Sequence, residues 1–269
     1  MTIDEKKKKL EEILRESKKI LIAYSGGVDS TFLLKFAVDC LGAENVGAFI
    51  EKAEIYPENE VKFAEDFARE LGVKVFIYFS KKLADKTFNK NPVDRCFYCK
   101  KDLFSQLANV AKKEGFNVIA DGSNFDDVSD YRPGNRAKSM FGVISPLQLA
   151  EFRKKDIREL SRKMGLPTWN KPQMACLSSR IPYGEKITKE RLSRILKAEE
   201  YLRKSGFWNV RVRDYNNMCR IEVSSEDIAK IVNLRRKIIK ALKEIGYTYI
   251  TLDLEGYRTG SMNISIISS

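Results

Sequence analysis

The hexapeptide Ser25-Gly26-Gly27-Val28-Asp29-Ser30 constrains this chain more than any other stretch. It lies between a short apolar run, Ile20 to Tyr24, that reads as a strand, and a helical pattern beginning near Asp29. Two adjacent glycines let the backbone turn sharply and come close to a ligand. The amides that open the following helix then point at whatever occupies the turn, and the helix dipole favours an anion there. Ser25, Ser30 and Thr31 add hydroxyl groups, and Asp29 has the chemistry to hold a magnesium ion bridging phosphates. No lysine follows the glycines as in G-x-x-x-x-G-K-[ST], and the G-x-G-x-x-G spacing is missing. The plainer alternative is an ordinary Gly-Gly turn with an Asp-Ser helix cap. The order strand, glycines, Asp-Ser, helix argues against it.

The 269 residues include no histidine. That removes the Ser-His-Asp triad and every His-ligated metal site, so a transition-metal site must be built on cysteine. The cysteines are Cys40, Cys96, Cys99, Cys176 and Cys219, an odd set that argues for reduced thiols over a disulfide framework. A net charge of +12 predicts acidic partners, nucleotides or RNA. Part of it is the run Lys6 to Lys9, which reads as the solvated face of a helix. No signal-peptide pattern opens the chain, and no apolar run approaches the ~18–20 residues that span a bilayer. The reading is a soluble, cytoplasmic protein without membrane association.

The first half alternates strands (Ile20–Tyr24, Val46–Ile50, Lys74–Tyr78, Val118–Asp121 and one near Ile144) with helices (Ile3–Ser17, Asp29–Leu41, Glu58–Leu71, Tyr98–Glu114, Lys154–Met164). That alternation predicts an α/β fold with a doubly wound parallel sheet, whose ligands bind beyond the carboxyl ends of the strands. After Pro167 the character changes. Residues 1–170 are expected to form the first domain, 171–184 a linker carrying Cys176, and 185–269 a smaller α+β domain. In the latter, a helix over Thr188–Ser205, strands at Val210–Arg213 and Cys219–Val223, a helix over Ser225–Ile245 and a strand over Tyr247–Leu254 are predicted.

Cys96-Phe97-Tyr98-Cys99 is a C-x-x-C, a spacing that serves zinc, iron–sulfur clusters or redox exchange. One such pair cannot close a four-ligand zinc site. Cys176, in Ala175-Cys176-Leu177-Ser178-Ser179-Arg180, is the third candidate, and Arg180 beside its sulfur would favour thiolate. Three cysteines from two loops can hold a [4Fe-4S] cluster and leave one iron open. Alternatively Cys176 packs as a small apolar residue and the pair is incidental. Cys40 and Cys219 read as core. The loop from Asp121 and Gly122 through Arg132 to Gly134 follows a strand end. Its acids suit Mg²⁺ or a ribose and Arg132 a phosphate, unless it is merely a solvated acidic loop. Arg211 and Arg213 alternate along one strand and share a face, with Arg220 and Glu222 on the next. They suit an anionic ligand, or surface salt bridges.

The SGGVDS turn resembles the pyrophosphate-binding PP-loop of ATP pyrophosphatases, which cut ATP between its α and β phosphates. With DGSNFDDVSDYRPG, SPLQLAEFRKKDIREL, WNKPQMACLSSRIPYG, RVR, CRIEV and LDLEGYRTGSMN, the chain is similar over nearly its whole length to the LarE-type ATP-dependent sulfur transferases. That resemblance implies a PP-loop ATP pyrophosphatase domain with a small C-terminal domain for substrate and oligomerisation. It implies adenylation of a carboxylate of a pyridinium biscarboxylate mononucleotide, release of pyrophosphate and replacement of AMP by sulfur, in nickel-pincer nucleotide biosynthesis. ATP and Mg²⁺ would be held by Ser25, Gly26, Gly27, Val28, Asp29, Ser30, Asp121, Gly122 and Arg132. The anionic nucleotide substrate would be held by Arg180, Arg211, Arg213 and Glu222. Asp29 and Cys176 would be catalytic, and a hexamer is implied. One branch of the family sacrifices the sulfur of the single cysteine matching Cys176; another holds a [4Fe-4S] cluster on three cysteines. Cys96 and Cys99 beside Cys176 fit the cluster branch, which would need a sulfide donor. A tRNA-thiolating PP-loop enzyme is the nearest rival, but no RNA-binding module is recognisable, which argues against nucleic acid. An amidotransferase-type synthetase and a nucleotide sensor are more distant.

Overall fold

Four apolar segments pair in parallel to form the first sheet: β1 (Ile20–Ala23), β2 (Val46–Lys52), β3 (Lys74–Phe79) and β4 (Val118–Asp121), in the order β3-β2-β1-β4. The computed structural model describes residues 1–129, 134–172, 175–258 and 260–263. Helix α1 (Ile3–Ser17) precedes the sheet; α2 (Val28–Leu41) and α3 (Glu58–Glu70) join its first three strands. A short α4 (Lys86–Asn89) and the long α5 (Arg95–Glu114) lead to β4, and α6 (Asn135–Phe141), α7 (Pro146–Leu149) and α8 (Lys154–Lys163) follow it. The pleat of β1 explains the layering. Ile20 and Ile22 enter a core with Phe32 of α2, Ala64 of α3 and Ile157 of α8, whereas Leu21 enters another with Leu103, Phe104 and Leu107 of α5. A strand apolar on both faces needs helices on both, which is the doubly wound α/β arrangement the alternation predicted.

The strand order places β1 between β2 and β4, with Ala23 opposite Phe49 on one side and Asp121 on the other. The chain runs outward from β1 to β2 and β3 and then crosses over to β4 on the other side of β1, so the carboxyl ends of β1 and β4 flank the switch point of the sheet, where such folds open a crevice. The fifth strand expected near Ile144 is a single parallel bridge, Ala120 to Ile144. Ser145 hands the chain at once to Pro146, which opens α7, and proline cannot donate to a ladder. Helix α5 begins at Arg95, not Tyr98, so Cys96 and Cys99 lie on its first turns.

The chain divides into two compact units: Met1–Ser80 with Asp94–Met174, and Lys81–Val93 with Ala175–Ser269. The second unit contains α9 (Lys189–Lys204), strands β5 (Arg211–Tyr215) and β6 (Met218–Glu222), helices α10 (Ile228–Asn233) and α11 (Arg235–Ile245), and β7 (Tyr249–Leu252). Thr188 caps α9 by accepting from the Arg191 amide. β5 and β6 form an antiparallel hairpin through Asn216-Asn217, with Asn216 at φ 64°, and β7 pairs parallel to β6. Val212 and Ile221 point into a core with Leu202, Phe207 and Leu242. The long helix expected over Ser225–Ile245 is a 3₁₀ turn, α10 and α11, broken at Leu234. Segment 81–93 joins this unit because Asn91 binds it: its side-chain amide donates to the carbonyls of Ile181 (3.2 Å) and Pro182 (2.7 Å), and its own carbonyl accepts from Gly184 at 2.8 Å. No helix among the described residues is long and apolar enough to cross a membrane.

Candidate active site

In the first unit the turn after β1 is built from the inside out. The Tyr24 amide donates to the Phe49 carbonyl at 2.8 Å, and its buried hydroxyl lies 3.2 Å from Thr31 Oγ1. This anchors both ends of the turn. Gly26 adopts φ +69°, and a Cβ there would lie 2.9 Å from Ala64 Cβ, so neither the conformation nor the space admits a side chain. Ser30 Oγ lies 3.2 Å from Ser25 Oγ and donates to the Gly27 carbonyl at 3.3 Å. No described side chain caps the start of α2. The first amides of the helix are therefore left for a ligand, in a field that favours an anion.

β4 delivers the second wall. A Cβ on Gly122 would sit 2.9 Å from both N and Cα of Ser30, so this glycine brings the loop after β4 against the turn. Asp121 is buried and fully engaged: Ser145 Oγ (2.6 Å), Ser123 Oγ (2.9 Å) and Lys138 Nζ (3.0 Å) all reach its carboxylate. Burial opposes its charge, but Lys138 and Lys100 together hold its carboxyl below the ordinary range. Asp121 therefore braces the wall. Asp29 differs. Its Oδ2 accepts from Lys154 Nζ at 2.8 Å and Asn124 Nδ2 at 3.2 Å. Its Oδ1 is buried without a hydrogen-bond partner among the described residues. A carboxylate oxygen shut from water and unpartnered costs free energy, and a hard cation satisfies it, so this residue fits Mg²⁺. Lys171 donates to the Gly26 carbonyl at 3.0 Å and pairs with Glu60. Arg132 lies outside the described residues.

Cys96 is exposed and Cys99 half-buried, three residues apart on α5 and so on one helix face. Three thiols without histidine are a donor set suited to an iron–sulfur cluster. Among the described residues no group of three or more cysteine or acidic side chains is arranged to hold a metal ion. Cys219 is buried in the second core, which pushes its thiol up to about 12, and Cys40 packs half-buried against the first.

In the second unit Arg180 is fully buried. Its Nε and Nη2 donate to Glu199 at 2.8 and 3.1 Å, and its Nη1 to the carbonyls of Ala175 (2.7 Å) and Cys176 (3.0 Å). Its donors are thus spent on fixing the Cys176 turn. Arg213 donates to Glu222 at 2.5 Å and to Ser261 Oγ at 3.0 Å, and its Nε is buried without a partner among the described residues. Arg220 also donates to Glu222, at 3.0 Å. Arg211 is buried, 5.0 Å from the ring of Tyr257; burial and the neighbouring Arg180 push it down to about 10, still charged at neutral pH. Around the β5–β6 face, among the described residues, Arg180, Arg211, Arg213 and Arg220 outnumber Glu199, Glu222 and Asp253, a positive balance suited to an anion.

Sequence reasoning missed Lys154, Asn124 and Glu199. Lys154 sits in a charged run that reads as helix surface, and nothing in its spacing points to an aspartate 125 residues earlier.

A family model described as NAD synthase matches residues 2–98, the stretch that carries the 25–30 turn. The chain is 40% identical to an uncharacterised protein of Synechocystis, over 97% of this chain and 98% of that one. It is 38% identical to the pyridinium-3,5-bisthiocarboxylic acid mononucleotide synthase of Lactiplantibacillus plantarum, over 97% and 95%. An uncharacterised protein of Methanocaldococcus jannaschii is 35% identical over 93% and 96%.

Proposed function

This chain belongs to the LarE-type family of ATP-dependent sulfur transferases, and from that premise we propose that it adenylates a carboxylate of a pyridinium biscarboxylate mononucleotide and replaces AMP with sulfur. The observation that carries this reading is the uncapped start of α2, set at the switch point beside the half-satisfied carboxylate of Asp29. A carboxylate oxygen of the substrate attacks the α phosphorus, the bond to the β-phosphate bridge breaks, and pyrophosphate leaves. The α2 amides, with Ser25 and Ser30, hold the departing pyrophosphate. Asp29 would hold Mg²⁺, which supplies charge neutralisation there. Adenylation turns a poor electrophile into one with AMP as leaving group. Sulfur then attacks the carboxyl carbon, and AMP departs with the bonding electrons; a sulfur nucleophile needs no histidine base.

Cys96, Cys99 and Cys176 would hold a [4Fe-4S] cluster that, when bound, supplies the transferable sulfide. Arg211, Arg213 and Glu222 would recognise the acceptor's phosphate, supported by the positive excess on the β5–β6 face. Arg180 would act from behind, fixing the Cys176 turn. The protein works in the cytoplasm, as a homo-oligomer, with a sulfide donor as partner. Product analysis tests the core of this reading. AMP and pyrophosphate, formed in equal amounts when ATP and the acceptor are supplied, are expected; ADP and phosphate would overturn it.

A further inference from the structure

We propose that Lys154 keeps the cation position at Asp29 closed until a nucleotide's phosphates arrive, so that cation and nucleotide enter together. This rests on reading the 25–30 turn as a phosphate site. The two oxygens of Asp29 are not equivalent: Oδ2 carries Lys154 at 2.8 Å and Asn124 at 3.2 Å, while Oδ1 is buried and unpartnered among the described residues. Oδ1 is therefore the oxygen offered to a cation. The Lys154 ammonium already neutralises this carboxylate and would repel a dication approaching it, strongly in a partly desolvated site.

Nor is Lys154 a loose surface group. Its backbone amide donates to Asp126 Oδ2 at 2.8 Å, and Arg153 reaches Asp126 Oδ1 at 3.2 Å. The Asp126 amide in turn donates to Asn124 Oδ1 at 2.9 Å. The two residues that grip Asp29 are thus braced to one another through Asp126. A triphosphate in the turn changes the balance, because its charge gives the ammonium a second anionic partner and releases Asp29 to the cation. Lys154 is in this sense a positioning residue.

Mn²⁺ alone, titrated into the full chain and followed by electron paramagnetic resonance, reads this without turnover. Lys154→Met should bind Mn²⁺ about tenfold or more tightly than the natural chain, the factor that 1.4 kcal/mol gives. Lys154→Arg should bind like the natural chain. The gap should close with α,β-methylene-ATP present, and the tightening should vanish in Lys154→Met/Asp29→Asn. Equal or weaker Mn²⁺ binding by Lys154→Met, or tightening that survives Asp29→Asn, overturns the proposal. Lys154→Gln is read the same way if the Met variant does not melt cooperatively. Pyrophosphate release by the natural chain separates the two readings. Normal release with no change in Mn²⁺ binding sinks only the role of Lys154, whereas no release sinks the phosphate site itself.

Discussion

Gly122 is the residue where the two walls of the crevice touch, since a methyl there would meet the Ser30 backbone at 2.9 Å. Backbone cannot move aside as a flexible side chain does, so Gly122→Ala must push β4 and the 25–30 turn apart. Overpacking of this kind costs roughly 1–3 kcal/mol, and the displaced turn no longer presents its amides. The expected outcome is a lowered melting temperature together with ATP affinity reduced by about tenfold or more, read by thermal melts and calorimetry. Ordinary ATP affinity in a folded Gly122→Ala protein would show that the close approach does not shape the site. The residue scale was partly legible in the sequence: Gly26, Gly27 and Asp29 announce themselves by type and order. The grip on Asp29 was not, because Asn124 and Lys154 reach it from 95 and 125 residues away.

Among the elements, α9 matters for the carboxylate it buries. Glu199 is fully buried and accepts from Arg180, from Arg203 at 2.5 Å and from the Val212 amide of β5 at 3.2 Å. It ties α9 and β5 to the turn that carries Cys176. Burial alone would raise its pKa, but Arg180 and then Arg203 outweigh it and bring the carboxyl down from 4.5 to about 2. A depressed carboxyl stabilises the fold above its unfolded value, and that contribution is lost as pH falls from 4.5 towards 2. Two and a half pH units correspond to roughly 3 kcal/mol. Glu199→Gln should lose roughly 3–5 kcal/mol at pH 7, because it leaves Arg180 buried without its counter-ion. Its stability should then vary less than that of the natural chain below pH 4.5, which urea melts at several pH values would reveal. Parallel slopes for both proteins in that window would contradict this account.

The sulfur source is tested on the whole molecule. Protein purified without oxygen should carry iron and visible absorption. Cys96→Ala, Cys99→Ala and Cys176→Ala should each lose both, along with sulfur transfer, while Cys40→Ala and Cys219→Ala retain them. Adenylation should survive in all five, since it uses the 25–30 turn. A single turnover that leaves the natural chain lighter by one H₂S, with Cys96→Ala still active, would instead identify Cys176 as a sacrificial donor. RNA recognition would show as tRNA binding that persists at physiological salt; only weak binding that disappears as salt rises, the mark of non-specific phosphate contacts, is expected here.

Local chemistry determined much of this protein. The strand-glycine-helix order set the 25–30 turn, strands apolar on both faces set a doubly wound parallel sheet, and the absence of histidine set the kind of chemistry available. These follow from neighbours in sequence, whose spacing alone fixes which side chains share a face. Tertiary structure decided what spacing cannot encode. It stopped the strand near Ile144 at one bridge, gave segment 81–93 to the second unit through Asn91, and paired Arg180 with Glu199 so that the arginine serves the fold around Cys176. Each of these depends on which distant groups must satisfy a buried charge or amide, and only the packed chain brings those groups within hydrogen-bond reach.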